Sequence, residues 1–157
     1  GICFGFQLAI SEYARNVCNL EDASSTEIDP NTKNPVVIFM PEQRSVQNMG
    51  GTMRLGLYTA DLLAGSVVAT TYGSTEVSER HRHRYEVNNK YRDQISNAGL
   101  VFSGMFKERD LVEFVELPKE VHPYYVGTQA HPELRSRPTR PHPLFIGLIA
   151  AAVAAKG

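Results

Sequence analysis

The chain has 157 residues, a formal net charge of −1, and 42% hydrophobic and 21% charged residues, the balance of one globular domain with enough apolar surface for a core. Near-neutral charge gives no overall field for nucleic acid or an anionic membrane, no apolar run is long enough to span a bilayer, and no secretory leader is expected at the start. The two cysteines, Cys3 and Cys18, read as free thiols of a reducing cytoplasm, since a bridge between them would block Cys3.

Along the chain, Phe6, Ile10, Tyr13, Ala14 and Val17 recur at helical spacing and predict a helix over Gln7–Val17. Glu21–Asn34 is polar and reads as a loop, Val36–Met40 as a short buried strand, and Pro41–Gly51 as a second loop. Arg54–Leu63 and Ser66–Tyr72 are predicted strands, and the charged run Glu76–Arg84 leads into an extended stretch over His83–Val87. Tyr91–Ala98 reads as a helix closed by Gly99. Leu100–Phe106 and Leu111–Leu117 form a hairpin through Lys107–Asp110, and Tyr124–Gln129 is a strand that ends at His131. Pro138, Pro141 and Pro143 keep the chain extended before an apolar helix over Leu144–Ala155, suited to a core or an interface. Strands that end at reactive residues, with helices between them, indicate an α/β fold with its site at the strand ends. The first strands of such a sheet are expected upstream of Gly1, leaving a sheet position empty beside Cys3.

Cys3 lies between Gly1 and Gly5, the cysteine form of a nucleophile elbow, in which glycines let the backbone pass close to a strained strand-to-helix turn. A helix N-terminus and a nearby imidazolium would favour its thiolate. His131, two residues before Glu133, supplies a base and its orienting carboxylate. Pro132 between them restricts His131 to extended backbone. Cys18 lacks the glycine context and reads as packing, and His122 and His142 carry little functional weight.

The run Glu79-Arg80-His81-Arg82-His83-Arg84-Tyr85-Glu86 is rich enough in cations to grip an anion, and its His-x-His pair would suit a metal, but no further ligand stands at usual spacing. A solvated strand edge is the plainer reading. The interspersed Glu79 and Glu86 argue against a nucleic-acid groove. Met49–Gly56 is glycine-rich without the pattern of a phosphate-binding loop, and reads as a mobile lid or an ordinary turn.

GICFGFQ together with QAHPE resembles the class I (triad) glutamine amidotransferases. Ser25–Asp29, Gly50–Gly56, the Glu79–Glu86 run and Ser136–Phe145 resemble the CTP synthase family within that class. This resemblance implies an α/β fold of class I amidotransferase type, a flavodoxin-like open sheet with helices on both faces. It makes residues 1–157 the C-terminal part of one amidotransferase domain, with the rest of that domain and a synthase domain outside this chain. It implies a Cys3–His131–Glu133 triad that hydrolyses L-glutamine. The backbone around Phe4, Gly5 and Phe6 would hold the reacting carboxamide, with the Phe4 amide as an oxyanion donor. Gln7 and Glu27 would contact the substrate, Glu27 through its ammonium. Arg84 would take the α-carboxylate, with backbone contacts from Tyr85. Gly51, Thr52 and Arg54 would belong to a lid tied to GTP activation.

The same resemblance implies no cofactor or metal in this chain. The full-length enzyme would use ATP and Mg²⁺, with GTP as activator, to aminate UTP with the released ammonia in a synthase domain of the same polypeptide, and homo-oligomerisation through that domain is expected. Phe4, Phe6 and Ala130 stand where relatives often carry other residues, changes expected to reshape the pocket. A second oxyanion donor is expected upstream of Gly1, so the isolated chain is expected to hydrolyse glutamine poorly. Another triad cysteine hydrolase, such as a γ-glutamyl peptidase, shares the elbow and the His131–Glu133 pair but leaves the other stretches without a use. A non-catalytic assembly module would leave the triad without a use.

Overall fold

The structure, a computed structural model, describes residues 1–39 and 53–156. In chain order its helices and longer strands are α1 (Phe4–Asn16), β1 (Ala23–Ser25), β2 (Asn34–Phe39), β3 (Arg54–Leu62), α2 (Val67–Tyr72), β4 (Glu76–His83), β5 (Tyr85–Val87), α3 (Arg92–Asn97), β6 (Val101–Phe106), β7 (Leu111–Glu116), β8 (Val126–Thr128) and α4 (Pro143–Ala154). Of the predicted stripe, Phe6, Ile10, Tyr13 and Ala14 are buried on α1 while Val17, just past its end, is exposed, and the helix begins at Phe4 rather than Gln7. The predicted hairpin also forms: β6 and β7 pair antiparallel, and the turn closes on Asp110 in the left-handed region (φ 49°).

Two sheets result. β1 and β2 run parallel and β5 adds antiparallel to β2. The other sheet has the order β4-β3-β6-β7-β8 with every neighbouring pair antiparallel. β7 is buried throughout, because one core cluster gathers Val112 and Val115 with α1 and β2, while a second gathers Phe114 with α2 and Leu144. Helices therefore cover both sides of β7, as the α/β reading requires.

Ser66–Tyr72 is not a strand. Ser66 Oγ accepts the Ala69 amide at 2.9 Å, and the buried Glu116 carboxylate accepts the amides of Val67 and Val68 at 2.7 and 2.9 Å. Gly73 (φ 67°) closes the other end. These caps override the β-preference of the paired valines. The charged run is not a solvated edge either: along β4, Glu79, His81 and His83 point inward while Arg80 and Arg82 stay exposed, the period of a half-buried strand. On α4 only Leu144 is buried, and Ile149 and Val153 are 62% and 66% exposed, so it does not serve as a core helix.

Beside Cys3 the two preceding residues reach β8 without forming a strand. The Cys3 amide donates to Thr128 O (2.8 Å), the Thr128 amide donates to Gly1 O (2.9 Å), and Ile2 bridges Thr128 in parallel. The residues before the elbow are thus bridged to β8. That sheet curls until its two ends meet. The carbonyl of Arg80, on edge strand β4, accepts the His131 amide at 2.8 Å, and that of Arg82 lies 3.9 Å from Cys3 Sγ.

Candidate active site

Cys3 has φ 48° and ψ −105° directly before α1. For a side-chain-bearing residue this conformation costs about 1–3 kcal/mol, and the surrounding ladder to β8 holds it there. The two flanking glycines do different work. A Cβ on Gly1 would stand 3.0 Å from the Gly5 carbonyl oxygen and 3.1 Å from the Phe6 amide nitrogen, whereas one on Gly5 would meet nothing within 4 Å. Only Gly1 is required by close approach.

The sulfur is half-buried. It donates to the Arg82 carbonyl and receives Gln129 Nε2 at 3.8 Å. Burial raises the thiol pKa above its ordinary value, and the charges of Glu133 and Glu27 add to this. The Phe4 amide and the Gln129 side chain, both hydrogen-bonded to the sulfur, pull the other way. Burial and the two carboxylates thus act against the thiolate that a helix terminus and an imidazolium would favour.

His131 Nδ1 lies 2.5 Å from Glu133 Oε1. A proton on Nδ1 donated to that carboxylate leaves Nε2 as the basic atom, and Nε2 is buried with no hydrogen-bond partner among the described residues. His131 and Cys3 are brought together by β4, whose Arg80 and Arg82 carbonyls they approach, and by Gln129, which touches the sulfur two residues before His131.

Gln7 Nε2 donates to Tyr85 O at 3.1 Å and to Gln129 Oε1 at 3.2 Å, and Gln7 Oε1 is left buried without a partner among the described residues. Glu27 is exposed on the turn after β1, near enough to act on the thiol's charge. Arg84 forms the bend between β4 and β5 and is half-buried. The Tyr85 carbonyl also accepts His83 Nδ1 at 3.1 Å, so both its lone pairs are committed within the protein. Phe4 is 46% exposed beside the elbow.

Three expected placements change. Phe6 is fully buried in the core cluster, as is Ala130 in the interior; the Phe6 ring packs where a Cβ on Gly127 would stand 3.0 Å from it, so it shapes the core and not the pocket. Arg54 is 3% exposed and is drawn inward by Glu113 and Glu86, which removes it from any surface a nucleotide could touch. Gly51 and Thr52 lie outside the described residues. Cys18 is a free thiol against the α1 core. Gln129 joins the site without a sequence motif of its own; its place in Gln129-Ala130-His131, at a strand end, is the signal for it. Among the described residues no group of His, Cys, Asp or Glu could hold a metal ion, and no helix is long and apolar enough to cross a membrane.

Residues 1–151 match the family described as glutamine amidotransferase class-I. The chain is 60% identical over 157 residues to a CTP synthase of Nocardioides sp. and 62% identical over 156 residues to one of Leifsonia xyli subsp. xyli, covering 98% of this chain and 28% of each relative. It thus spans little more than a quarter of the curated relatives it matches. The glutaminase domain of Trypanosoma brucei CTPS with bound acivicin superposes with a TM-score of 0.88 at 35% identity, over 98% of this chain and 59% of that one. A strained cysteine at a helix start, a histidine–glutamate pair brought to it by the curled sheet, and a family match across nearly the whole length lead to one assignment: the chain belongs to the class I glutamine amidotransferases.

Proposed function

We propose that this chain carries the glutamine-hydrolysing site of a CTP synthase. The observation that carries the reading is the unpartnered, buried Nε2 of His131, oriented by Glu133, on the strand edge that also meets the Cys3 sulfur. Nε2 takes the thiol proton as the sulfur attacks the side-chain carboxamide carbon of glutamine. The Phe4 amide, already directed at the sulfur, faces the developing oxyanion; such a donor is worth about 10²–10³ in kcat. His131 then returns the proton to the leaving nitrogen, the C–N bond breaks, and ammonia departs from a γ-glutamyl thioester. Water, deprotonated by the same Nε2, attacks the thioester, giving glutamate and restoring the thiol.

Gln7, with its open Oε1, and Glu27 contact the polar end of the substrate, Glu27 through its ammonium, and Arg84 takes the α-carboxylate. The amidotransferase domain continues beyond this chain. Ammonia passes to the synthase domain of the full-length protein, where ATP and Mg²⁺ activate UTP for amination to CTP, with GTP as activator. We place this chemistry in the cytoplasm, in a protein that associates through its synthase domain.

In the full-length protein, Cys3→Ala should abolish glutamine-dependent CTP formation, a fall of about 10⁶-fold, while leaving the ammonia-dependent route intact. Equal loss of both routes, or survival of the glutamine route, would overturn the assignment.

A further inference from the structure

Behind the Arg84 bend lies a cluster that the reaction scheme does not use. Arg54, Glu86, Glu113, His81 and His83 have side chains no more than 3% exposed. Arg54 Nη1 lies 2.5 Å from Glu113 Oε1 and 3.5 Å from Glu86 Oε1. His81 reaches Glu113 through Nε2 (3.4 Å) and His83 through Nδ1 (3.0 Å). His83 Nδ1 reaches both the Tyr85 carbonyl (3.1 Å) and Glu86 (3.4 Å). The Arg54 guanidinium also lies over the rings of Tyr58 and Phe106, at 4.3 and 4.8 Å.

Burying such a group stabilises poorly, because desolvation offsets the attraction, and an apolar cluster of equal volume serves stability as well or better. What it supplies is direction. β4 belongs to the five-stranded sheet and β5 to the three-stranded one, so no ladder runs through Arg84 to fix it. The cluster crosses that gap. Arg54 sits opposite His83 in the β3–β4 ladder and clasps Glu86 on β5 and Glu113 on β7. His83 struts the bend from one side of Arg84 to the other. The same frame reaches the thiol, since the Glu113 carbonyl accepts the Gln129 amide at 2.9 Å and Gln129 touches the sulfur.

We propose that Arg54 and His83 are positioning residues for recognition of the glutamine α-carboxylate: Arg54 Nη1, held between Glu86 and Glu113, and the His83 strut to Tyr85 hold the Arg84 bend at a fixed distance from Cys3. The proposal rests on Arg84 being the carboxylate's partner. It deepens that assignment by naming what aims Arg84. A lysine at position 54 keeps the charge but lacks the planar guanidinium that lies over Tyr58 and Phe106 while Nη1 stands between the two acids.

The test uses the full-length protein and compares kcat/KM for glutamine with that for glutaminamide, in which the α-carboxylate is replaced by a neutral amide. The folded fraction cancels in the ratio, so a merely structural loss leaves it unchanged. Arg84→Ala should collapse the ratio. Arg54→Lys and His83→Leu should each lower it by about tenfold, the order expected for a misdirected charge-assisted contact. His83→Asn, whose amide nitrogen can stand where Nδ1 stood, should keep it within about threefold of the parent. If Arg84→Ala keeps the ratio, the carboxylate assignment falls and the proposal with it. If Arg84→Ala loses the ratio while Arg54→Lys keeps it, only the positioning role is overturned. Should Arg54→Lys give no folded protein, His83→Leu decides by the same criterion.

Discussion

The triad and the Arg54 cluster are both built from ionisable side chains around one curled sheet, and they are held in opposite ways. Cys3 and His131 sit at strand ends, where backbone turns leave atoms unpaired: a strained φ at Cys3 and an open Nε2 on His131. His81 and Glu113 sit inside β4 and β7 and Arg54 opens β3; all three are turned inward, and each finds a charged or polar neighbour. Reactivity comes from a strained elbow and an imidazole nitrogen with no charge against it, and fixed geometry from buried charges set against one another as ion pairs. Charge density along the sequence does not tell them apart; the neighbours that other strands supply do.

The sharpest break of that comparison lies in the triad. Glu133→Gln should lower glutamine turnover by about 10²–10⁴-fold, through loss of the imidazole's orientation. The same change removes a negative charge that helps hold the Cys3 pKa up, so alkylation of the thiol by iodoacetamide at fixed mild alkaline pH should become faster. A slower alkylation would show that Glu133 does not act on the sulfur in this way.

A smaller effect separates the two elbow glycines. Gly1→Ala presses a Cβ against the backbone of Gly5 and Phe6 and should destabilise the full-length protein by about 1–3 kcal/mol. Gly5→Ala fills open space in α1 and should stabilise it by about 0.5–1 kcal/mol. Denaturant unfolding of the two variants reads both signs.

The cluster has a pH signature of its own. Burial and the Arg54 charge pull His81 down to about 2 and His83 to about 3, from an ordinary 6.5. Below pH 6.5 the unfolded chain therefore binds protons the native chain refuses, and stability falls as pH drops. Glu86 is pushed up from its ordinary 4.5 chiefly by burial, with Arg54 pulling it back, and so works in the opposite direction. His83→Asn deletes one refused proton. It should flatten the acid limb between pH 6 and 5 by at most about 1.4 kcal/mol per pH unit, as urea unfolding would show; an unchanged slope would mean that His83 is charged in the folded chain.

The site was legible where chemistry needs a fixed spacing. Gly1-x-Cys3 and His131-x-Glu133 are short-range patterns, and the β6–β7 hairpin announced itself through two β-rich runs around Lys107–Asp110. What could not be read was set at long range. Val67 and Val68 favour a strand locally, and the carboxylate that turns them into a helix is Glu116, far along the chain. Arg54 belongs to a glycine-rich stretch that resembles a lid, and its destination in the core depends on Glu86 and Glu113 from two other strands. Gln129 counted only as a neighbour of His131 until the sheet's curl brought it to the sulfur.

The proposed chemistry requires Cys3 to be the nucleophile of a glutamine site. The most direct measurement is peptide mass spectrometry of the full-length protein after treatment with a glutamine-like electrophile, with and without excess glutamine. A single adduct on Cys3 that glutamine suppresses is expected. An adduct on Cys18, or one on Cys3 that glutamine leaves untouched, would contradict it.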